Sequence, residues 1–283
     1  MLLNTALDQA EILLEAAGVP TPKVDSQLLL AHTLKISKGE LQTQLVLNGN
    51  CSETEFDRFA ALIRERCKRI PLQHLTGLAP FRNFELEVGK GVFIPRPETE
   101  GVVQLGIDFL NSRHSPRRAI DLGSGSGAIA ISLALEVPDS KVIAVELSQD
   151  AAAFTSRNIQ RIAPNIELRI GSMFETCSDL VSSMDLVISN PPYIPLNMVP
   201  IDVEVRDHDP ELALYGGVDG LDVIREISVL AQKMLVSGGA LVLEHADGQS
   251  EMVCQLLLDA GWQSVSPHAD ATNRLRSVSA KKA

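Results

Sequence analysis

Apolar positions change their rhythm twice along these 283 residues. Over the first seventy or so, runs of Leu and Ala are broken by helix punctuation and hardly at all by strand punctuation. Thr5 and Asp8 form a cap-like pair before Ala10 to Ala17, and Gly18 and Pro20 stop that run. Thr21-Pro22 supplies an N-cap and a first-turn proline for a helix through Leu28, Leu29 and Leu30 to Leu34. Ser37 with Glu40, and Ser52 with Glu55, repeat the capping-box spacing, the second opening a helix to about Arg69. This is the pattern of a small all-helical domain.

From Pro80 the texture changes. Phe81, Phe84, Leu86 and Val88 fall mostly at alternate positions, then Gly89-Lys90-Gly91 precedes Val92-Phe93-Ile94, which predicts a β-hairpin turning at the glycines. The hairpin acts as a linker and delivers Ile94-Pro95-Arg96-Pro97-Glu98-Thr99-Glu100, where two prolines stiffen a segment feeding a helix from about Pro97 to Asn111. The expected division is therefore residues 1–78 helical, 79–96 hairpin linker, and 97–283 a larger domain.

In the second half, short apolar runs alternate with helical ones, the signature of a parallel sheet. Strands are expected at Arg118–Leu122, Lys141–Leu147, Ile166–Ile170, Met184–Asn190 and Ala240–His245. Helices are expected at Ala128–Leu135, Asp150–Ile162, about Leu221–Leu235 and Gln249–Ala260, with Gly238-Gly239 as a stop. Pro195–Gly220 reads as a loop, and Trp262–Val265 with Arg274–Ala280 as a closing hairpin. The fold class is α/β, a doubly wound, mostly parallel sheet.

Composition narrows the partners. Lys and Arg number 25 against 36 Asp and Glu, a net charge of −11, which argues against a broad phosphate-binding surface. Cys51, Cys67, Cys177 and Cys254 have neither disulfide-framework nor metal-ligand spacing and read as thiols of a reducing compartment. No basic n-region precedes an apolar core, and no apolar run nears the roughly 18 residues that span a bilayer. The expectation is a cytoplasmic protein that binds no membrane. Arg206-Asp207-His208-Asp209 could suggest a metal site but reads better as a solvated loop, so no metal is expected.

Three features carry chemistry. Asp121-Leu122-Gly123-Ser124-Gly125-Ser126-Gly127, between strand and helix, is a tight turn that lets a ligand approach the backbone beside a helix N-terminus. It lacks the dinucleotide spacing and a Walker lysine, which disfavours a pyrophosphate cradle. Glu146, at the end of the next strand, is placed to accept hydrogen bonds from ribose hydroxyls. Asn190-Pro191-Pro192-Tyr193 follows the buried run Met184–Ile188, and its prolines fix a stiff rim presenting a carboxamide, free carbonyls and one ring. In a doubly wound sheet all three fall on the carboxyl edge, where ligands bind.

On these residues the chain resembles class I (Rossmann-like) S-adenosylmethionine-dependent methyltransferases acting on a planar nitrogen, either an exocyclic amino group of a base or a glutamine amide. Pro71-Leu72-Gln73-His74-Leu75-Thr76-Gly77, Phe93 to Glu100, Val205 to Pro210 and Leu214 to Gly220 sharpen this. In order and spacing they resemble the release factor glutamine methyltransferase family, over nearly the whole chain. The resemblance implies S-adenosyl-L-methionine as methyl donor and N5-methylation of the Gly-Gly-Gln glutamine of bacterial peptide chain release factors, docked by the helical domain, with no direct nucleic-acid partner.

Carried over, Asp121, Gly123, Ser124, Gly125, Ser126, Gly127, Glu146 and Met173 would hold the donor, with Phe93, Thr99 and Asn190 beside it. Asn190, Pro191, Pro192 and Tyr193, with Arg96, would hold the glutamine, and Asn190, Pro191 and Tyr193 would be catalytic. Glu146 stands where aspartate is usual, Met173 where an aromatic residue is frequent, and His74 where tyrosine is usual. The alternatives are an N-methyltransferase of DNA or RNA, which needs a basic and aromatic recognition surface, and a non-catalytic donor-binding module, for which an acceptor clamp has no use.

Overall fold

The computed structural model describes residues 1–283 and divides into two compact units, 1–78 with 200–208, and 79–199 with 209–283. The first is helical: α1 (Leu3–Ala16), α2 (Pro22–Leu34), α3 (Lys38–Val46), α4 (Glu53–Cys67) and the short α5 (Leu72–Thr76). Its core is built from Leu3, Leu14, Leu29, Leu30, Leu41, Phe59 and Ile63. Both capping boxes form, Ser37 with Glu40 and Ser52 with Glu55, each hydroxyl accepting the Glu amide while the carboxylate accepts the Ser amide. Each such cap is worth about 1 kcal/mol. Thr5 and Asp8 do not cap: α1 starts two residues before Thr5, with Leu2 at its N-cap. The apolar Leu3, Ala6 and Leu7 sit in the core and carry the helix past the polar signal.

Residues 200–208 fold with this helical unit. They contain a short helix, Val203–His208, within the segment expected to be loop. Glu204 on it accepts Arg66 Nη2 at 2.8 Å and Arg69 Nε at 2.8 Å, while Arg66 Nε also donates to Asp25 at 2.7 Å. Arg66 is only 4% exposed, so its guanidinium relies on these carboxylates in place of water.

The second unit begins in the strand pair β1 (Leu78–Phe81) and β2 (Phe84–Glu87). Its turn is Arg82-Asn83, with Arg82 left-handed at φ 48, and not the Gly89-Lys90-Gly91 expected from the sequence. Val92 and Ile94 are buried in the core without forming a strand. Arg82 is held in place by Glu100 and Glu136, a tertiary tether that offsets a backbone conformation costly outside glycine.

A seven-stranded sheet follows, interleaved with helices. The chain runs α6 (Thr99–Asn111), β3 (Arg117–Leu122), α7 (Ala128–Glu136), β4 (Ser140–Glu146), α8 (Gln149–Ile162), β5 (Glu167–Ile170) and the single-turn α9 (Met173–Thr176). After β6 (Met184–Ser189) come α10, the Val203–His208 helix of the first unit, then α11 (Asp222–Met234), β7 (Leu235–Glu244), α12 (Ser250–Asp259), β8 (Gln263–Ala269) and β9 (Leu275–Lys281). Strand order is β5-β4-β3-β6-β7-β9-β8, parallel from β5 to β7, with β9 antiparallel to both its neighbours. Gly238-Gly239 does not stop a helix; it lies inside β7, where the pairing with β6 slips by a bulge and Gly238 takes φ +72.

The side chains of β6 serve two cores, with the face changing across the register slip between Met184 and Leu186. Leu186 and Ile188 pack with α6, α7 and α8 on one face, Met184 and Val187 with α11 and α12 on the other. The strand order reverses between β3 and β6, opening a crevice at their carboxyl ends. No helix of the protein is long and apolar enough to cross a membrane.

Candidate active site

The site lies wholly within the second unit, along the carboxyl ends of β3, β4, β6 and β7. After β3 the chain must turn sharply to start α7, and Gly123, Gly125 and Gly127 take φ of +76, +56 and +88. A Cβ on Gly123 or Gly125 would meet nothing within 4 Å, so the loop faces open space that a ligand can fill. The loop is held from behind: Thr155 donates to the Gly125 carbonyl and Asn158 Nδ2 to the Ser126 carbonyl at 3.0 Å. Asn158 also exchanges hydrogen bonds with the backbone of Glu87, tying α8 to both β2 and the Gly loop.

Glu146 ends β4 beside this loop. Its carboxylate accepts the Gly125 amide at 2.7 Å and the Ser148 amide at 2.8 Å. Burial raises its pKa, and the amides of Ser148 and Gly125 oppose that rise. Asp121 is fully buried; burial pushes it up to about 8, with the Ala130 amide opposing and the Glu146 charge adding. Asp121 Oδ1 and the Ser124 hydroxyl are buried with no partner in the chain. Orphaned polar atoms of this kind, beside an open glycine turn and the Glu146 carboxylate, fit a polar nucleoside-like group. Met173 opens α9 behind the Ser172 cap and is partly buried against the core formed with α11 and α12.

On the other side of the crevice, Ser189 donates to the Leu122 carbonyl at 2.6 Å, fixing the end of β6 to the end of β3. Asn190 follows, half-buried, its Nδ2 donating to Thr99 Oγ1 at 3.2 Å. Thr99, expected beside the donor, thus has its hydroxyl on Asn190. The Pro191 carbonyl accepts no hydrogen bond from the chain. Burial first, and then the Glu244 charge, raise the Tyr193 phenol well above its usual range, which keeps it neutral.

The turn is braced by the Leu214–Gly220 segment. Ile194 donates to the Leu214 carbonyl at 2.8 Å, Gly216 to the Ile194 carbonyl at 2.9 Å, and Leu196 to the Gly217 carbonyl at 2.9 Å. A side chain on Gly216 would strike the Pro192 carbonyl, and one on Gly220 the Tyr193 carbonyl, so these glycines exist for close backbone approach. Gln249, at the start of α12, donates to the Tyr193 carbonyl at 2.9 Å. Arg96 stacks 5.2 Å over the Phe93 ring and donates to Asp209 at 2.8 Å. Arg206 pairs with Asp207 at 2.6 Å, and no group of three or more His, Cys, Asp or Glu is arranged to hold a metal.

Asp209, expected in a solvated loop, is instead buried and pairs with Arg96. Four contributors were not foreseen: Thr155, Asn158, Glu244 and Gln249. Three carry no local signal, because each acts on a segment far away in sequence. Glu244 did carry one, a lone carboxylate closing the apolar run Ala240–Leu243, the same pattern by which Glu146 was found.

The chain's first part matches the PrmC N-terminal domain model over residues 5–77, and its middle the methyltransferase small domain model over residues 90–201. It is 45% identical to the release factor glutamine methyltransferase of Streptomyces coelicolor, over 100% of this chain and 99% of that protein. It is 41% identical to the release factor glutamine methyltransferase of Bifidobacterium longum, over 98% of each. Among solved structures, a methyltransferase from Pyrococcus furiosus, 20% identical, covers 79% of this chain and 97% of its own with a TM-score of 0.51, a likeness of fold.

Proposed function

The chain belongs to the release factor glutamine methyltransferase family, and we propose that its carboxyl-edge crevice is where a release-factor glutamine amide meets the methyl donor. The reaction is methylation of the glutamine side-chain amide of peptide chain release factors, at N5 of the Gly-Gly-Gln glutamine. The observation that carries the reading is the convergence, at one crevice, of a glycine turn beside Asp121 and Glu146 with a braced Asn-Pro-Pro-Tyr rim.

The donor is S-adenosyl-L-methionine, which supplies an electrophilic methyl on a sulfonium. Gly123 to Gly127 and Glu146 are proposed to hold it: the open glycine turn receives its backbone-facing side, and free lone pairs of Glu146 take the ribose hydroxyls. Asp121, kept largely protonated by burial, and Glu146 line this side, and the orphaned Asp121 Oδ1 and Ser124 hydroxyl are left to hydrogen-bond polar groups of the donor. Met173 and Phe93 provide apolar flanks.

A glutamine amide is a poor nucleophile, because its nitrogen lone pair is delocalised into the carbonyl. Asn190 Oδ1 and the Pro191 carbonyl each accept one N–H of the substrate amide, which orients the nitrogen and concentrates electron density on it as the N–C bond forms and the S–C bond breaks. Tyr193 stacks on the planar amide and offers its ring face to the adjacent cation. Orientation of this kind lowers barriers by about 7–11 kcal/mol in well-aligned cases. The nitrogen sheds its proton after transfer. Arg96, held by Asp209 and Phe93, walls the acceptor side, and the helical unit is proposed as the surface that docks the release factor.

The test is transfer of labelled methyl from the donor to a purified release factor, with mass mapping of the modified residue. Label is expected on the Gly-Gly-Gln glutamine and absent from DNA and ribosomal RNA; label on nucleic acid alone overturns the reading. Asn190→Ala should lower transfer by at least about 100-fold, the scale of losing one positioned polar partner, while donor binding by calorimetry stays near wild type.

A further inference from the structure

Glu244 ends β7 one residue beyond Leu243, which pairs with Ser189, so it sits level with Asn190 across the parallel ladder. It is 2% exposed, and its Oε2 has no partner in the chain. The hydroxyls of Thr99 and Tyr193 lie near enough to lower its pKa. The Thr99 hydroxyl oxygen, in turn, accepts the Asn190 amide at 3.2 Å. Burying an ionisable group this completely is costly unless it is paired or neutralised, and the apolar run Ala240–Leu243 before it supplies the packing of β7 without it.

A threonine hydroxyl has one proton to give. If Glu244 takes it, Thr99 Oγ1 can only accept from Asn190. The carboxamide must then present its NH2 to Thr99, which turns its oxygen outward. We propose that Glu244 and Thr99 are positioning residues for methyl transfer: they hold the Asn190 carboxamide with its oxygen toward the acceptor nitrogen. This rests on the reading that Asn190 receives the substrate amide. A carboxamide flipped by half a turn would face that amide donor to donor.

The relay has a direction. A protonated Glu244 donates to Thr99, Thr99 then donates to the Asn190 oxygen, and the carboxamide is held the wrong way round. Burial pushes Glu244 up to about 7; the Thr99 hydroxyl opposes, Glu98 before α6 adds, and Arg276 on β9 and Tyr193 after β6 oppose. The adjoining His245 is kept neutral by burial, which lowers its pKa. Transfer should therefore rise with pH through about 7 as Glu244 ionises.

The experiment measures kcat with a release factor, donor affinity by calorimetry, and the protonated-carboxyl infrared band across pH, for Thr99→Val, Thr99→Ser, Glu244→Gln, the Thr99→Val/Glu244→Gln double variant and Asn190→Ala. Thr99→Val and Glu244→Gln should each lose about 10- to 100-fold in kcat, with donor affinity within about threefold of wild type. Thr99→Ser should restore kcat to within about threefold, and the double variant should be no worse than about twofold below the weaker single one. Glu244→Gln should also abolish both the acid limb of kcat and the infrared band titrating in the same range. The proposal is overturned if Thr99→Val keeps full kcat while Asn190→Ala is inactive, if the two losses multiply, or if donor affinity falls in step with kcat. Full activity of Asn190→Ala would instead sink the acceptor reading itself.

Discussion

The Glu146 carboxylate accepts the Gly125 amide at 2.7 Å, so the acidic strand end and the glycine turn are one structure and not two ligand contacts that happen to be close. Removing that carboxylate frees the Gly125 and Ser148 amides together and loosens the turn as well as deleting an acceptor. Glu146→Ala is expected to weaken donor binding by about 100-fold or more, and Glu146→Asp by about 10-fold, since the shorter side chain keeps the charge but stretches the bridge. Calorimetry with the donor checks both; equal affinity for Glu146→Ala and wild type would show that the turn is held by Thr155 and Asn158 alone.

Asp121 makes stability depend on pH. Its folded pKa, about 8, lies above its ordinary value of 3.8, so the native chain holds more protons than the unfolded one in between. Its contribution is present below about pH 4 and is lost as pH rises through about 8. Asp121→Asn should flatten the fall in thermal midpoint over that window relative to wild type. Parallel midpoint curves for the two proteins would mean that Asp121 does not titrate there.

The bracing glycines differ from an ordinary left-handed glycine. Gly220→Ala combines φ +79 with a collision against the Tyr193 carbonyl and Gln249, whereas Gly248, at φ +84, has nothing within 4 Å of an added Cβ. Gly248→Ala should cost about 1–2 kcal/mol, the penalty of the backbone region alone. Gly220→Ala should cost about 3 kcal/mol or more, and lower kcat by displacing Tyr193. Urea midpoints for the pair measure the difference, and equal losses would deny the close approach a role.

In the helical unit, burial on its own would raise Glu204, but hydrogen bonds from the Arg69 and Arg66 guanidinium groups outweigh it and hold the carboxyl well below the usual range. A depressed folded pKa contributes stability that is present above the ordinary value of 4.5 and lost as pH falls through the folded one. Glu204→Gln should destabilise this unit by about 1–3 kcal/mol near neutrality, and Arg66→Ala by about 3–5 kcal/mol, because it strands the buried Asp25. Hydrogen exchange resolved over α2 and α4 reads this directly. Unchanged protection in Glu204→Gln would show that the cluster contributes nothing net.

What the sequence determined by itself was local or periodic. The capping boxes at Ser37 and Ser52, the alternation of strand and helix after Arg117, and the strand-end positions of Asp121, Glu146 and Asn190 all follow from short-range steric and hydrogen-bonding preferences. The family motifs then supplied a substrate that no pattern of apolar residues encodes. Tertiary structure decided the rest. The hairpin turns at Arg82 because distant Glu100 and Glu136 hold a strained residue there. Gly238-Gly239 became a strand bulge because β6 pairs with the segment around it. Glu244, Thr99 and Asn190 lie 145 residues apart at their extremes (Thr99 to Glu244) and meet only because the strand order sets β7 beside β6 with the start of α6 against them. Hydrogen bonds between remote residues depend on strand order and register, which local propensity leaves open and only the packed sheet fixes.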